Sequence, residues 1–559
     1  MVRDPRRLVS APFDVLIVGG GIHGLAIAYD AARRGLRVAL VERDDLGSQS
    51  SFNHAKTVHG GLRSLQTGDL RKARESVQER RAMARIAPHL VEPLPFLIGT
   101  YRTPTRGRLA LRAGFLIDWA IGFDRNRDLL PHLALPAGRV IDRQTCLDRF
   151  PGIRDQGLTG GALWYDYQMI EADRLTLAFA SAASRHGAAL ANYVEALGPI
   201  VARGRVAGMR ARDLLSGQSL AIEAALTINA AGAFAGTLAA AFGDPIELPL
   251  IKAMNVVTSR PLAPPAIGAP TGDGRLLLAA PWRGRALIGT SHGDRTVPPE
   301  AAGVSVAELE AFVDEINDAF PALRLTRDEV TLVHRGVVPA ARARGGRLVL
   351  RPHAAVIDHG RRGVEGAVSV VGVKYTTARA VAERAIDLAL AKLGRPVVPC
   401  TTAEAVLPGA GIPDRPALAA ECDQLAPGGR ADEALLERLL RCYGSTCRAV
   451  LELAAERGLE LAPLAPDVPV TAAEVAYAIQ HEMACTLRDV VIRRSGLGAA
   501  GHPGEAAVEA IARVMAAELG WDAARLASER EALDRFYQPV STGGLRPAGP
   551  PIAVARGGP

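Results

Sequence analysis

The stretch FDVLIVGGGIHGLAIAYDAARRGLRVALVE, residues 13 to 42, decides the fold. FDVLIV is a short apolar run of the buried-strand type. GGGIHG follows, with glycines at Gly19, Gly21 and Gly24. LAIAYDAARRG then reads as an amphipathic helix closed by Gly35, and RVALVE as a second strand ending in Glu42. Strand, glycine turn, helix, strand and acid within about 30 residues form a dinucleotide-binding unit. Gly19 permits the tight turn, Gly21 lets a pyrophosphate approach the backbone, and Gly24 lets the helix pack on the strand. The helix N-terminus offers N–H groups and partial positive charge to phosphates. Glu42 is placed to bind ribose hydroxyls. This motif leaves NAD and FAD both open.

Working outward, 559 residues exceed one core, and two or three domains are expected. Hydrophobic residues make up 48% and charged residues 22%, as in a globular protein. Six cysteines are too few for a disulfide framework, and none has metal-site spacing, so reduced thiols in a cytoplasmic protein and no metal are expected. The net charge of +7 is spread without a block of like charges, which argues against nucleic acid and permits anionic substrates or lipid. MVRDPRRLVSAPFDVLIVGGG does not read as a signal peptide, and no run of 18 apolar residues predicts a spanning helix. Lysine occurs only at positions 56, 72, 252, 374 and 392, so a lysine reads either as a compact charge preferred to arginine's planar fork or as a chance survivor of codon bias.

Fifteen residues past Glu42 comes TVHGGLR, 57 to 63. His59 supplies an imidazole that titrates near neutrality, Gly60 and Gly61 a bare backbone, and Arg63 a planar cation. Two later segments, AALTINAAGAFAG (224 to 236) and VSVVGVKYTTAR (368 to 379), read as strands running into small or polar turns and then helices. Strands that return so to a nucleotide site resemble FAD proteins of the glutathione-reductase-like class.

From residue 13 to about 500 the chain resembles the FAD-dependent glycerol-3-phosphate dehydrogenases and alpha-glycerophosphate oxidases, among the D-amino-acid-oxidase-like flavoproteins. The resemblance rests on residues 14 to 51, HAKTVHGGLRSLQTGDLRKARESVQERRAMARIAPHL (54 to 90), IGTSHGD (288 to 294), GVKYTTAR (372 to 379) and AEVAYAIQHEMACTLRDVVIRRSGLG (473 to 498). LWYDYQMIEADRL, 163 to 175, has the family's position and rhythm with unusual aromatic content. The implied architecture is α/β. A Rossmann-like FAD-binding domain (12–95, 150–240, 345–396) receives an inserted antiparallel-sheet substrate domain (96–149, 241–344). An all-helical C-terminal domain (400–537) and a disordered tail (540–559) follow.

The implied chemistry is oxidation of sn-glycerol 3-phosphate to dihydroxyacetone phosphate, with hydride passing to the flavin and electrons on to quinone. His59 is the expected base, with His54 second. Arg63, Arg335, Lys374 and Tyr375 are expected at the substrate. Gly19, Gly21, Gly24, Glu42, Ser51, Lys56, Gly60, Gly61, Ala231, Gly232, Gly372, Lys374 and Thr376 are expected at FAD, with Gly60 and Gly61 leaving room for the ring or the substrate. His23, inside the glycine turn, reads as packing. The family's phosphate-binding arginine is Val338 here, within HRGVVPA, so Arg335, Arg342 or Arg344 would have to replace it. Two further readings stay open: the same enzyme shell acting on another hydroxy acid, polyol phosphate or amine, and a flavin-binding partner without turnover. The apolar helix at 107 to 123 is expected to pack in the core, with docking on the inner face of the cytoplasmic membrane the other reading. Ser305 and Glu308 read as a capping box, and PLAPPAIGAPTGDG (261 to 274) as a loop. A homodimer is compatible with all of this.

Overall fold

The computed structural model describes residues 1–538 except 63, 64, 66, 67, 104–106, 151, 344, 413, 427–431 and 467. Arg63, Arg344 and the tail 540–559 lie outside the described residues.

The first sheet runs Ala355–Asp358, Ala367–Val371, Ser219–Asn229, Phe13–Val18, Val38–Val41, Ala189–Ala191. All neighbours after the first pair are parallel. VLIV and VALV are buried on both faces, which is why they read as continuous apolar runs. Val15, Ile17, Val38 and Leu40 meet the helices Ile22–Arg33, Ala172–Arg185 and Ala378–Lys392. Leu16, Val18, Ala39 and Val41 meet the hairpin of Val194–Ala202 and Arg205–Asp213.

The second sheet runs Leu348–Leu350, Val330–Arg342, Leu250–Thr258, Arg285–His292, Leu276–Trp282, Ala266–Pro270, Glu92–Tyr101, Leu158–Gln168, Thr57–Val58. It is antiparallel except where Ala266–Pro270 meets Glu92–Tyr101 in parallel. Ala266–Pro270 is therefore a strand, although its Ala, Gly and Pro residues read as loop. It fits between two neighbours, with Pro270 exposed at its end. Helix Val306–Ala319 covers this sheet, and its capping box of Ser305 and Glu308 forms.

Sheet membership differs from the expected segments. Thr57–Val58, Leu158–Gln168 and Leu348–Leu350, placed with the nucleotide-binding segments, pair in the second sheet. Partner choice is non-local, and strand periodicity does not encode it. The helix Arg108–Ile121 buries only Phe115; Leu109, Leu116 and Trp119 are exposed. Core packing is not its role.

Within 415–537 the described residues form the helices Arg415–Leu425, Glu433–Tyr443, Cys447–Arg457, Ala472–Glu482, Glu505–Leu519 and Ala523–Tyr537, with the six-residue π-helical turn Asp489–Arg494 between the fourth and fifth. They share a core with the second sheet, where Trp282, Leu287 and Leu332 meet Val475, Leu487 and Ile511. Among the described residues no helix is long and apolar enough to cross a membrane.

Candidate active site

At the carboxyl ends of Phe13–Val18 and Ser219–Asn229 the glycine turn is tightly built. Gly19 has φ +112°, and a Cβ there would lie 2.5 Å from the Ala230 carbonyl oxygen. A Cβ on Gly24 would lie 1.9 Å from the Gly19 oxygen, so only glycine lets the helix sit this close. Gly21 opens the helix Ile22–Arg33 with no side-chain cap. The Ile22 N–H donates to Ser51 Oγ at 2.9 Å, which puts Ser51 at the helix N-terminus. Glu42 accepts from Gly20 N–H at 2.6 Å and from Asp44 N–H at 2.9 Å. Each carboxylate oxygen keeps a lone pair for a hydroxyl. Burial, then Asp44, lifts this carboxyl to about 7. Beside Ala231, Gly232 at φ +59° faces open space. A helix N-terminus whose N-cap residue is glycine, a bare turn and an acid at the strand end fit the pyrophosphate and ribose of a dinucleotide.

The second segment meets the turn from the far end of the chain. His59 N–H donates to Thr376 Oγ1 at 3.3 Å across 317 residues. His59 and Lys374 are both half-buried there. Gly372 touches the first helix: a Cβ would lie 2.4 Å from His23 Nε2. The His23 ring packs beneath that backbone, and burial, then Arg384, lowers it to about 4.

Several expected residues have other tasks. A Cβ on Gly60 would lie 2.3 Å from Arg80 Nη1, and one on Gly61 would lie 2.7 Å from Ser76 Cβ. The glycines thus admit the helix Leu70–Ile86, and the space expected for the ring or the substrate is filled by protein on that side. Asp166, buried within LWYDYQ, pairs with Arg80 and accepts the Gly60 N–H at 2.7 Å. Composition did not single it out, since a lone acid in a strand carries no periodic signal. Tyr375 is buried: its hydroxyl meets Thr176 Oγ1 at 2.9 Å and its ring stacks on His54 at 4.9 Å. Arg335 donates to the carbonyls of Gln538 at 2.9 Å and Phe536 at 3.3 Å, at the end of the helix Ala523–Tyr537. Val338 pairs with Ile251 in the adjacent strand. Being three residues apart, Arg335 and Val338 project to opposite strand faces. Arg342 is exposed.

Lys56, expected at the cofactor, is fully buried at φ +54°. Its ammonium donates to the Phe52 carbonyl and lies over the rings of Phe52 and Trp282. His334 packs against the same two rings, and neither of its ring nitrogens has a hydrogen-bond partner among the described residues. Burial, opposed by Asp173, lowers Lys56 to about 8. A folded-state value below the unfolded one penalises the charged form, so stability rises as pH climbs through this window. Against Lys56→Met, the wild type is expected to gain about 3 kcal/mol between about pH 8 and the free-lysine value near 10.4. Denaturant midpoints of both proteins across that range measure it, and parallel curves would mean that Lys56 titrates as a free lysine.

Residues 14–388 match the family described as FAD dependent oxidoreductase. The chain belongs to this family. Residues 400–526 of this FAD dependent oxidoreductase match the C-terminal domain of alpha-glycerophosphate oxidase. It is 30% identical over 543 residues to a glycerol-3-phosphate dehydrogenase of Synechocystis, covering 93% of this chain and 95% of that one. It is 35% identical over 499 residues to glycerol-3-phosphate dehydrogenase 1 of Mycobacterium tuberculosis, covering 87% and 91%. The solved structure of the Bacillus halodurans glycerol-3-phosphate dehydrogenase complexed with FAD superposes with a TM-score of 0.73 at 25% identity, over 95% of this chain and 96% of that one. A glycine oxidase from Geobacillus kaustophilus shares the fold over 71% of this chain and 99% of its own, at TM-score 0.52 and 20% identity. The cofactor of this oxidoreductase is FAD, which resolves the choice that the glycine motif left open.

Proposed function

We propose that this flavoenzyme oxidises sn-glycerol 3-phosphate to dihydroxyacetone phosphate and delivers the electrons to a membrane quinone. The meeting of His59 with the GVKYTTAR turn through Thr376 carries the reading at the site. Bound FAD supplies a hydride acceptor for the carbinol carbon. An imidazole nitrogen of His59 takes the hydroxyl proton, so the alcohol loses one hydride and one proton and becomes a ketone. The Lys374 ammonium stabilises charge developing on that oxygen. Arg63 is the cation assigned to the substrate phosphate, for which a guanidinium is suited. Gly60 N–H, tied to Asp166, keeps the His59 segment in place.

Anaerobic bleaching of the flavin absorbance tests the substrate. Glycerol 3-phosphate is expected to bleach it quickly, while glycerol, lactate and glycine do not. Bleaching by a compound without phosphate, and none by glycerol 3-phosphate, would favour the other-substrate reading that Val338 supports. FAD in full amount with no reduction by any of them would favour a partner protein without turnover.

The quinone reading is supported by the helix Arg108–Ile121. Leu109, Leu116, Trp119 and Phe123 are 80%, 67%, 59% and 76% exposed. Asp118 and Asp124 are neutralised by Arg125, Arg74 and Arg81, and Arg127 pairs with Asp128 at 3.8 Å, which leaves exposed Arg102 and Arg112 as a cationic rim. An apolar face with an exposed tryptophan and a basic rim suits the interface of an anionic bilayer. The protein is expected to sediment with phosphatidylglycerol vesicles. A Leu116→Asp, Trp119→Asp double variant should stay in the supernatant with its flavin reduction by substrate unchanged. Equal sedimentation of both proteins would remove the helix from membrane docking.

A further inference from the structure

The segment Glu42–Ser51 is fastened to the glycine turn at three points: Gly20 N–H to Glu42 at 2.6 Å, Gly47 N–H to the Gly20 carbonyl at 2.9 Å, and Ile22 N–H to Ser51 Oγ at 2.9 Å. This segment therefore sets the shape of the wall against which the dinucleotide must lie. It is held from its other side by the C-terminal helices, and the grip is electrostatic. Asp45, fully buried, accepts from Arg493 Nε and from both terminal nitrogens of Arg494. Arg493 also donates to Asp489 at 2.7 Å, and Arg494 to the Glu482 carbonyl at 2.6 Å. Asn192 bridges the two parts, donating to Asp45 at 3.0 Å and to the Met483 carbonyl at 2.8 Å. Tyr193 adds a bond from its hydroxyl to Asp489 at 2.7 Å, while its own N–H holds the Asp44 carbonyl at 3.1 Å.

Two consecutive arginines reach one carboxylate here because they end a π-helical turn. That turn is wider than an α-helix, and successive side chains diverge less around its axis. Two arginines against Asp45 and Asp489 balance in charge, and all four side chains are buried. A network of this kind contributes little net stability over an apolar core but tolerates the loss of one member poorly, so it fixes geometry. The same RR motif lies within the segment 473 to 498, and the chemistry proposed above leaves it without a task.

We infer that Arg493 and Arg494 are positioning residues for the cofactor: through Asp45 they hold the Glu42–Ser51 segment in its FAD-binding shape, so that docking of the C-terminal helices and FAD binding are thermodynamically linked. The inference rests on FAD occupying the glycine turn. Linkage is reciprocal, so FAD must in turn tighten the 485–495 region.

The test titrates full-length apoprotein with FAD, following quenching of the flavin fluorescence, for the wild type, Arg493→Met, Arg494→Met and Arg438→Met. Arg438 pairs with buried Glu474 inside the C-terminal helices and does not touch Asp45. Its replacement loosens those helices without releasing the segment. The Kd for FAD is expected to rise about 5- to 150-fold in the Arg493 and Arg494 variants and to stay near the wild-type value in Arg438→Met. Folded Arg493 and Arg494 variants with wild-type Kd would overturn the inference, as would an equal rise in all three variants, which would reflect general loosening. Should the variants fail to fold, hydrogen exchange on the wild type decides. Amides 485–495 are expected to exchange more slowly with FAD than without it, and identical rates would overturn the linkage. Wild-type apoprotein that binds no FAD would instead refute the assignment of the turn itself.

Discussion

Replacing His59 with asparagine is expected to slow anaerobic flavin reduction by sn-glycerol 3-phosphate by about 10²- to 10⁴-fold, the range that general base catalysis supplies. Asparagine keeps a polar side chain of similar reach but cannot take a proton at neutral pH. The link to Thr376 is made by the backbone N–H of residue 59, so the substitution leaves it in place. FAD should remain bound with an unaltered spectrum, which separates loss of chemistry from loss of structure. Wild-type kcat/KM should rise with pH as the base deprotonates, and that step should vanish in the variant. A rate within about three-fold of wild type, far below the range for a lost base, would make His59 a structural residue and move the base elsewhere.

Gly24→Ala should act on cofactor retention. The added methyl would lie 1.9 Å from the Gly19 oxygen, a backbone atom that cannot swing aside. The helix Ile22–Arg33 must lift from the turn, and its N-terminus moves with it. Overpacking of this kind costs about 3 kcal/mol, so binding on the order of 100-fold weaker is expected in an FAD titration of apoprotein. Gly303→Ala, whose Cβ would meet open space, is the matched control and should bind like the wild type. Unchanged affinity in Gly24→Ala would show that the turn does not carry the pyrophosphate.

The parts of this protein that were legible in the sequence are those where one local requirement fixes the residue. The doubly buried strands FDVLIV and VALV had to read as apolar runs, because both their faces are covered. Gly19 and Gly24 had to be glycine, because backbone occupies the Cβ positions. Ser305 and Glu308 announced a helix start through a reciprocal bond spanning three residues. What the sequence did not show depends on how separate elements pack against one another. Gly60 and Gly61 suggested an open floor, but their bare backbone admits Arg80 and Ser76 from the next helix. Lys56 and Tyr375 carry the residue types of a site and lie in its segments, yet one is enclosed by Phe52 and Trp282 and the other by His54 and Thr176. Arg335 stands near the position of a missing arginine and is held by carbonyls of the last helix, some 200 residues on.

By itself the sequence determined the nucleotide-binding unit, the cofactor class through its resemblance, and the segments that converge on the site. Backbone conformation, burial period and capping are short-range physics, and each leaves its mark within a few residues. Only the tertiary structure decided which sheet each strand joins, which glycines serve packing, which charged side chains are spent on the interior, and that Arg493 and Arg494 reach Asp45. Those outcomes come from pairings between separate elements, where the chemistry of one partner does not specify the other until the chain has brought them together.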